Sequence, residues 1–361
     1  METWDLIVLG GGPAGLSAAL VASNNGLRVV LVEASERLGG QLYHADAPIV
    51  DVLGRHEVMG GQLAEVYSEH LRARRVGATA VEVRLGARVA RVELGAPEPG
   101  MNSRVTLRRP SGTWTSASAP FPVRSFPGMN SRATLRRPSG TIPAASSLDV
   151  SEVLEARRIL LATGLAPRRL DVPGADLADP VADPRREHAR FVGRRVVVVG
   201  GGDESASLAR DLADVGVHVT LLARSRLRAR PLFAEPLARA PAVEVRQRAR
   251  VESLVGAGAG GGDGGAAMLG EVVLDSGARL DADAAFVRIG WAPSLPEIEP
   301  APARHADGHL VVDGEGRTTC AALFAAGDLV RPSSQRYITA ALADGAIAAR
   351  AIEMELAGSA S

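Results

Sequence analysis

The sequence predicts an α/β chain of two domains, each a parallel sheet between layers of helix, with one domain inserted into the other. Two observations predict it. The order apolar run, glycine-rich turn, small-residue helix pattern, second apolar run occurs twice, from Asp5 and again from Arg194. Proline and glycine cluster at Pro167 with Pro173 and Gly174, and again over 290–293, where a chain can bend to leave one domain and return. The 361 residues exceed the usual size of one domain, and 46% of them are apolar, enough for two cores.

The first start is DLIVLGGGPAGLSAALVASNNGLRVVLVEAS, residues 5–35. Residues 5–9 have a strand's length. Gly10, Gly12 and Gly15 follow in G-x-G-x-x-G spacing, with Pro13 and Ala14 inside the motif. Gly10 permits a tight turn, Gly12 lets the backbone approach a pyrophosphate, and Gly15 lets the helix pack on the strand. The helix N-terminus offers free N–H groups and a positive dipole end to phosphates. A second apolar run over 29–32 ends in Glu33, where a carboxylate can accept from ribose hydroxyls. This is a Rossmann-like dinucleotide-binding start, and the acid is what makes it specific.

The second start is RRVVVVGGGDESASLARDLADVGVHVTLLARSRLR, residues 194–228. Residues 196–199 form the strand and Gly200 and Gly202 the turn. Asp203 and Glu204 open the helix, and Ser205 takes the third small position. No acid ends the second strand at 217–222; Ala223, Arg224, Ser225 and Arg226 follow it. Arg224 and Arg226 can pair with a 2′-phosphate that a carboxylate would repel, which favours NADPH over NADH. A solvated loop in an arginine-rich chain is the competing reading of those two residues.

Four further phrases occur in order: ERLGGQL (36–42, with Gly40, Gln41 and Leu42), ILLATG (159–164, with Ala162, Thr163 and Gly164), LFAAGD (323–328, with Gly327 and Asp328) and RYITAALADGAIAA (336–349, with Tyr337, Ile338 and Thr339). With the glycine turns they make the chain resemble the thioredoxin-reductase-like group of FAD-dependent pyridine-nucleotide oxidoreductases. The resemblance implies FAD on the first start, a nicotinamide nucleotide on the second, and a homodimer. GGQL would run along the flavin ring, Asp328 would hold the ribityl chain, and the helix after Thr339 would point its N-terminus at the flavin. It also implies a discontinuous FAD domain over 1–166 and 298–361, an NAD(P)-binding domain over 167–297, and β-meanders beside the sheets.

What is missing bears on the chemistry. Thioredoxin reductases carry a C-x-x-C pair in the NADPH domain, whereas Cys320 is the single cysteine here. A dithiol relay inside this chain is excluded, and Cys320 reads as a small buried hydrophobe. The V-x-D-P…F-x-G phrase over 181–193 and IVDV over 49–52 are closest to the ferredoxin– and flavodoxin–NADP reductases of this fold. Val50 stands where those enzymes offer a tyrosine to the flavin, with Tyr43 or His44 nearby as substitutes.

The expected chemistry is hydride transfer from NADPH to flavin N5, then electron transfer to a ferredoxin- or flavodoxin-like protein or to a small molecule. The alternative is a flavin-binding redox sensor or regulatory protein with little turnover. His44 is a candidate proton relay or a plain loop histidine. Arg336 could meet an anionic group or stand exposed. His305 and His309 sit four apart in a glycine-containing loop with no completing ligands, so no metal site is expected.

Acidic and basic residues balance at 41 each, which gives no general field for nucleic acid or membrane. No apolar run reaches spanning length. The single cysteine and the absence of a signal-peptide pattern at METWDLIVLGGG give a cytoplasmic expectation.

One feature stands outside this pattern. PGMNSRVTLRRPSGT at 99–113 recurs as PGMNSRATLRRPSGT at 127–141, with Val105 replaced by Ala133. R-x-T-L-R-R followed by P-S-G reads as one strand and its turn. One copy is expected to supply a meander strand, the other an extra hairpin or mobile loop, within a duplicated insertion over 99–148.

Overall fold

In the computed structural model the described residues are 3–45, 49, 51–54, 56–73, 79–95, 102–110, 148–179, 184–257 and 269–358. The chain begins with β1 (Thr3–Leu9), α1 (Pro13–Asn24) and β2 (Val29–Val32). β2 is VVLV with all four residues buried, as a strand covered by layers on both faces requires. α2 (Gly60–Arg72), β3 (Val81–Arg84), β4 (Arg88–Glu93), β5 (Ser103–Pro110) and the 14-residue β6 (Leu148–Leu161) follow.

β6 serves two sheets in one. Residues 148–156 pair antiparallel with β5, and residues 155–161 pair parallel with β1. The antiparallel pairs β4–β5 and β5–β6 make the meander that the sequence predicts. Its middle strand, β5, is the first repeat copy. Ser103, Val105 and Leu107 are fully buried while Arg104 and Arg108 are exposed, the period-two alternation of a half-buried strand. The second copy, 127–141, lies outside the described residues.

The chain then crosses through β7 (Leu165–Pro167) into β8 (Ala178–Asp179), β9 (Arg195–Val199), α3 (Asp203–Asp214), β10 (His218–Ala223), α4 (Pro231–Ala238) and β11 (Val243–Gln247). β12 (Val251–Gly256), β13 (Leu269–Leu274) and β14 (Arg279–Asp281) form an antiparallel three-strand sheet. β15 (Ala284–Val287) joins the parallel sheet, whose order is β11-β10-β9-β15-β8. The glycine-rich stretch after β12 connects it to β13; residues 258–268 lie outside the described ones. β16 (Trp291–Pro293) pairs with β7 and carries the chain back to β17 (Glu297–Glu299), β18 (Leu323–Ala325) and the 21-residue α5 (Ile338–Gly358). β18 lies parallel to β6, which completes the parallel order β3-β2-β1-β6-β18.

Two compact units result, Met1–Leu165 with Pro293–Ser361, and Ala166–Ala292. The return falls five residues before the 297/298 boundary that the sequence suggests. The reason is β17: it pairs in parallel with β4, and Ile298 is buried in the first unit's core. In that unit α1 and α5 are built from small residues and pack closely. A Cβ added at Gly345 would stand 2.0 Å from the Ala14 carbonyl oxygen. Among the described residues no helix is long and apolar enough to cross a membrane.

Candidate cofactor sites

In the first unit the motif glycines, Gly10 and Gly12 in the turn after β1 and Gly15 in α1, have two kinds of surroundings. Gly10 has φ +107°, and a Cβ there would lie 2.3 Å from the Ala162 carbonyl oxygen. At Gly15 it would lie 1.9 Å from the Gly10 oxygen. These two let backbone meet backbone. At Gly12 a Cβ would meet nothing within 4 Å, so this glycine faces open space. α1 starts there with Pro13 at its first position and no side-chain cap. The first helical bond is Leu16 N–H to Gly12 O, which leaves the Ala14 and Gly15 N–H groups at the helix mouth without an intrahelical acceptor. An anion fits this cradle.

Glu33 ends β2 beside it. Its Oε2 accepts the Gly11 N–H at 2.7 Å, and its Oε1 accepts the Ser35 N–H and hydroxyl, both at 2.8 Å. The carboxylate is oriented before any ligand arrives.

The GGQL phrase folds against the same turn. Gly39 (φ +124°) donates its N–H to Gly11 O at 2.7 Å, and a Cβ on Gly40 would stand 3.1 Å from Gly12 Cα. Residues Gly40–His44 form a 3₁₀ turn. Gln41 Nε2 donates to Leu165 O at 3.3 Å, next to Gly164, and Leu42 is buried under α2.

Tyr43 is held by its neighbours. Its hydroxyl donates to Glu65 of α2 at 2.7 Å, and the Arg37 guanidinium sits 3.6 Å from its ring centroid. Burial, with the Glu65 hydrogen bond second, pushes its pKa up to about 12. His44 is exposed.

The remaining phrases converge from the other side. Ala162 N–H donates to Leu9 O at 2.7 Å, Thr163 Oγ1 donates to Ser294 O, and Ser294 N–H donates to Gly164 O at 3.0 Å. At Gly327 (φ +74°) a Cβ would lie 2.9 Å from the Ala14 Cβ, so the GD turn touches the start of α1. Asp328 is half-buried and makes no hydrogen bond or ion pair among the described residues. Burial raises its carboxyl pKa; Arg336 and His309 pull it down, and Asp344 adds to the rise. A desolvated carboxylate with open acceptor positions fits a hydroxyl-bearing ligand. Tyr337, Ile338 and Thr339 open α5 just beyond it, with Tyr337 exposed.

Two partnerships here carry no signal in the sequence. Asp344 of α5 grips Arg331 through Nε at 2.6 Å and Nη2 at 2.5 Å, and accepts the Gly327 N–H at 3.3 Å. Arg336 is half-buried rather than exposed and reaches His309 Nε2 at 2.9 Å.

The second unit repeats the turn with changes. Gly200 has φ +154°, and a Cβ there would lie 2.2 Å from both the Arg288 carbonyl oxygen and Ser205 Oγ. Ser205 is fully buried and donates to Arg288 O at 3.2 Å, so a small hydroxyl closes the turn in place of a third glycine. Gly202 again faces open space, ahead of α3 with no side-chain cap.

Asp203 accepts the Arg230 N–H at 2.7 Å and its Nε at 2.6 Å, and the backbone bond from Arg230 is the main cause of its lowered carboxyl pKa. Glu204 pairs with the buried Arg288 at 3.0 Å. Both acids at the mouth of this helix are therefore balanced by arginine. Arg224 and Arg226, past the end of β10, are exposed, and their guanidinium groups make no ion pair or hydrogen bond among the described residues. No group of three or more His, Cys, Asp or Glu among the described residues could hold a metal ion.

Two parallel-sheet units, each with a glycine turn opening an uncapped helix, make up the thioredoxin-reductase fold. The chain belongs to the pyridine nucleotide-disulphide oxidoreductase family, which matches residues 4–345. That family is FAD-dependent and works with NAD(P)H.

Among curated proteins the chain is 29% identical over 360 residues to the F component of the alkyl hydroperoxide reductase of Pseudomonas aeruginosa, covering 96% of this chain and 57% of that protein. It is 25% identical over 354 residues to a NADH dehydrogenase of Bacillus subtilis, covering 96% and 58%. The chain thus spans under three-fifths of the length of these relatives.

Among solved structures, thioredoxin reductase of Lactococcus lactis superposes with a TM-score of 0.69 at 20% identity, over 98% of this chain and 100% of that one. Bacillithiol disulfide reductase of Bacillus cereus gives 0.70 at 18%, over 98% and 100%. These two share the fold. With one cysteine, the present chain has no C-x-x-C pair.

Proposed function

We propose that this chain binds FAD in the first unit and NADPH in the second, and passes electrons to an acceptor without a dithiol of its own. The observation that carries the reading is the pair of open glycines, Gly12 and Gly202, each at the mouth of a helix without a side-chain cap, with an acid ending the neighbouring strand beside only the first. When bound, the two cofactors supply the redox chemistry, hydride from the nicotinamide and storage of the electron pair on the flavin.

The protein's part is binding and orientation. The Ala14 and Gly15 N–H groups and the α1 dipole hold the FAD pyrophosphate, Glu33 accepts from ribose, and Asp328 accepts from the ribityl hydroxyls. Gly40 keeps a side chain away from Gly12, while Gly39 lets the turn pack on Ala64 and Tyr43. In the second unit Gly202 admits the nicotinamide nucleotide's pyrophosphate, while Arg230 and Arg288 cancel the charges of Asp203 and Glu204 that would repel it. Arg224 and Arg226, with no acid paired to them among the described residues, favour the 2′-phosphate of NADPH. The acceptor is a small redox protein, ferredoxin- or flavodoxin-like, or a small molecule.

Apoprotein mixed with excess FAD and desalted tests this directly. Near one flavin per chain is expected, with bleaching of its visible bands by NADPH under anaerobic conditions. A chain that takes up no FAD, or whose flavin neither NADPH nor NADH bleaches, would overturn it.

A further inference from the structure

His309 is 5% exposed, in a turn outside every phrase that carries the cofactor reading. Its Nε2 stands 2.9 Å from Arg336 Nη2. A guanidinium can only donate, so Nε2 must keep its lone pair. The ring in this arrangement is neutral and carries its proton on Nδ1. Nδ1 lies 2.9 Å from Asp307 Oδ1, and this contact is the main cause of the lowered pKa of that carboxyl; the same Oδ1 accepts the His309 backbone N–H at 3.2 Å.

Arg336 is tied on its other side, where Nε donates to Arg331 O at 3.3 Å. Arg331 in turn grips Asp344, which accepts from Gly327 N–H. The GD turn, Arg336 and the opening of α5 are one hydrogen-bonded lobe, and His309 seats its arginine from outside. The charged groups that act on the ring are Asp307 from its own turn and Arg336 and Asp328 from the lobe; Arg331 and Asp344 act on the same Asp328.

We propose that His309 is a positioning residue for the flavin-side lobe: through its neutral Nε2 it holds Arg336, and so keeps residues 336–339 and Asp328 in place for the sugar chain of FAD. This rests on the FAD reading above. It makes the seat conditional on charge. A proton on Nε2 removes the acceptor and sets an imidazolium against a guanidinium, with Asp307 waiting on the far side of the ring. Arg336 must then leave, and the start of α5 loses its anchor.

Two measurements test it. In the ligand-free protein, ¹⁵N shifts of the His309 ring at alkaline pH should report a proton on Nδ1 and a lone pair on Nε2. The opposite tautomer would overturn the seat whether or not FAD binds.

FAD affinity of the apoprotein is then followed by flavin fluorescence from about pH 8 to about pH 5.5, across the range where imidazoles change charge. Loss of a hydrogen bond to a charged group predicts affinity about tenfold weaker at the acid end. His309→Gln offers an acceptor at every pH and should lose this step, which separates it from titration of Asp328. Arg336→Gln should bind about tenfold more weakly at both ends. A wild-type affinity that does not fall, or a His309→Gln profile that falls as the wild type does, would overturn the proposal. No binding at any pH would overturn the FAD reading itself.

Discussion

Glu33 and Gly11 are joined by a 2.7 Å hydrogen bond, from the backbone N–H of the glycine turn to the carboxylate at the end of the neighbouring strand. The turn and the acid sit 22 residues apart in sequence, and the bond fixes each with respect to the other. Glu33→Ala should weaken FAD binding about ten- to a hundredfold, the worth of a hydrogen bond to a charged group together with the lost ribose contact. Glu33→Gln keeps an acceptor for Gly11 and should lose less. Fluorescence titration of the two apoproteins gives the comparison; equal losses would show that the Gly11 bond contributes nothing.

Gly12 and Gly345 separate ligand space from packing space. A Cβ at Gly12 meets only open space, whereas one at Gly345 would stand 2.0 Å from Ala14 O. Gly12→Ala should melt with the wild-type apoprotein yet fail to take up FAD. Gly345→Ala should lower the apoprotein's Tm by forcing α5 away from α1, a core overpacking that costs about 1–3 kcal/mol. Thermal melts with and without FAD check both.

Arg224 and Arg226 stand at the end of β10 without acidic partners among the described residues. Arg224→Ala should reduce the preference for NADPH over NADH about tenfold or more, chiefly through KM for NADPH, as expected from loss of a charge-assisted phosphate contact. The affinity for NADPH should also weaken with added salt. Steady-state kinetics with both nucleotides decides it, and an unchanged ratio counts against NADPH as the natural donor.

The repeat copies differ at a position where β5 is fully enclosed. Val105 is fully buried and pairs with Val92 on one side and Leu154 on the other. The second copy carries Ala133, which would leave two methyl groups' worth of space in that core. Val105→Ala should destabilise the protein by about 2 kcal/mol by chemical denaturation. Deleting 114–141, which removes the second copy and spares β5, should leave FAD binding intact.

The sequence carries those parts of the fold whose cause is local. G-x-G-x-x-G followed by a small-residue helix places Gly10, Gly12 and Gly15 because each conformation is demanded within a few residues. Alternation of Val105 and Leu107 with arginines places β5 for the same reason. The rest depends on contacts with no period. His309 meets Arg336 across 27 residues and a turn, and Arg288 reaches Glu204 from another strand end. The boundary at 292/293 falls on the glycine and proline of 290–293, but the membership of the three-residue β17 in the first unit is decided by pairing with β4. Tyr43 is near the flavin-facing phrase in sequence, but its hydroxyl follows Glu65 into α2.

The central claim is that the chain moves electrons through its flavin alone. The direct measurement is an anaerobic titration of the FAD-loaded protein with NADPH, followed at the flavin bands, in the wild type and in Cys320→Ser. Full bleaching by one equivalent of NADPH per flavin is predicted in both proteins. A need for two equivalents in the wild type, falling to one in Cys320→Ser, would show a second, thiol-based electron store and contradict it.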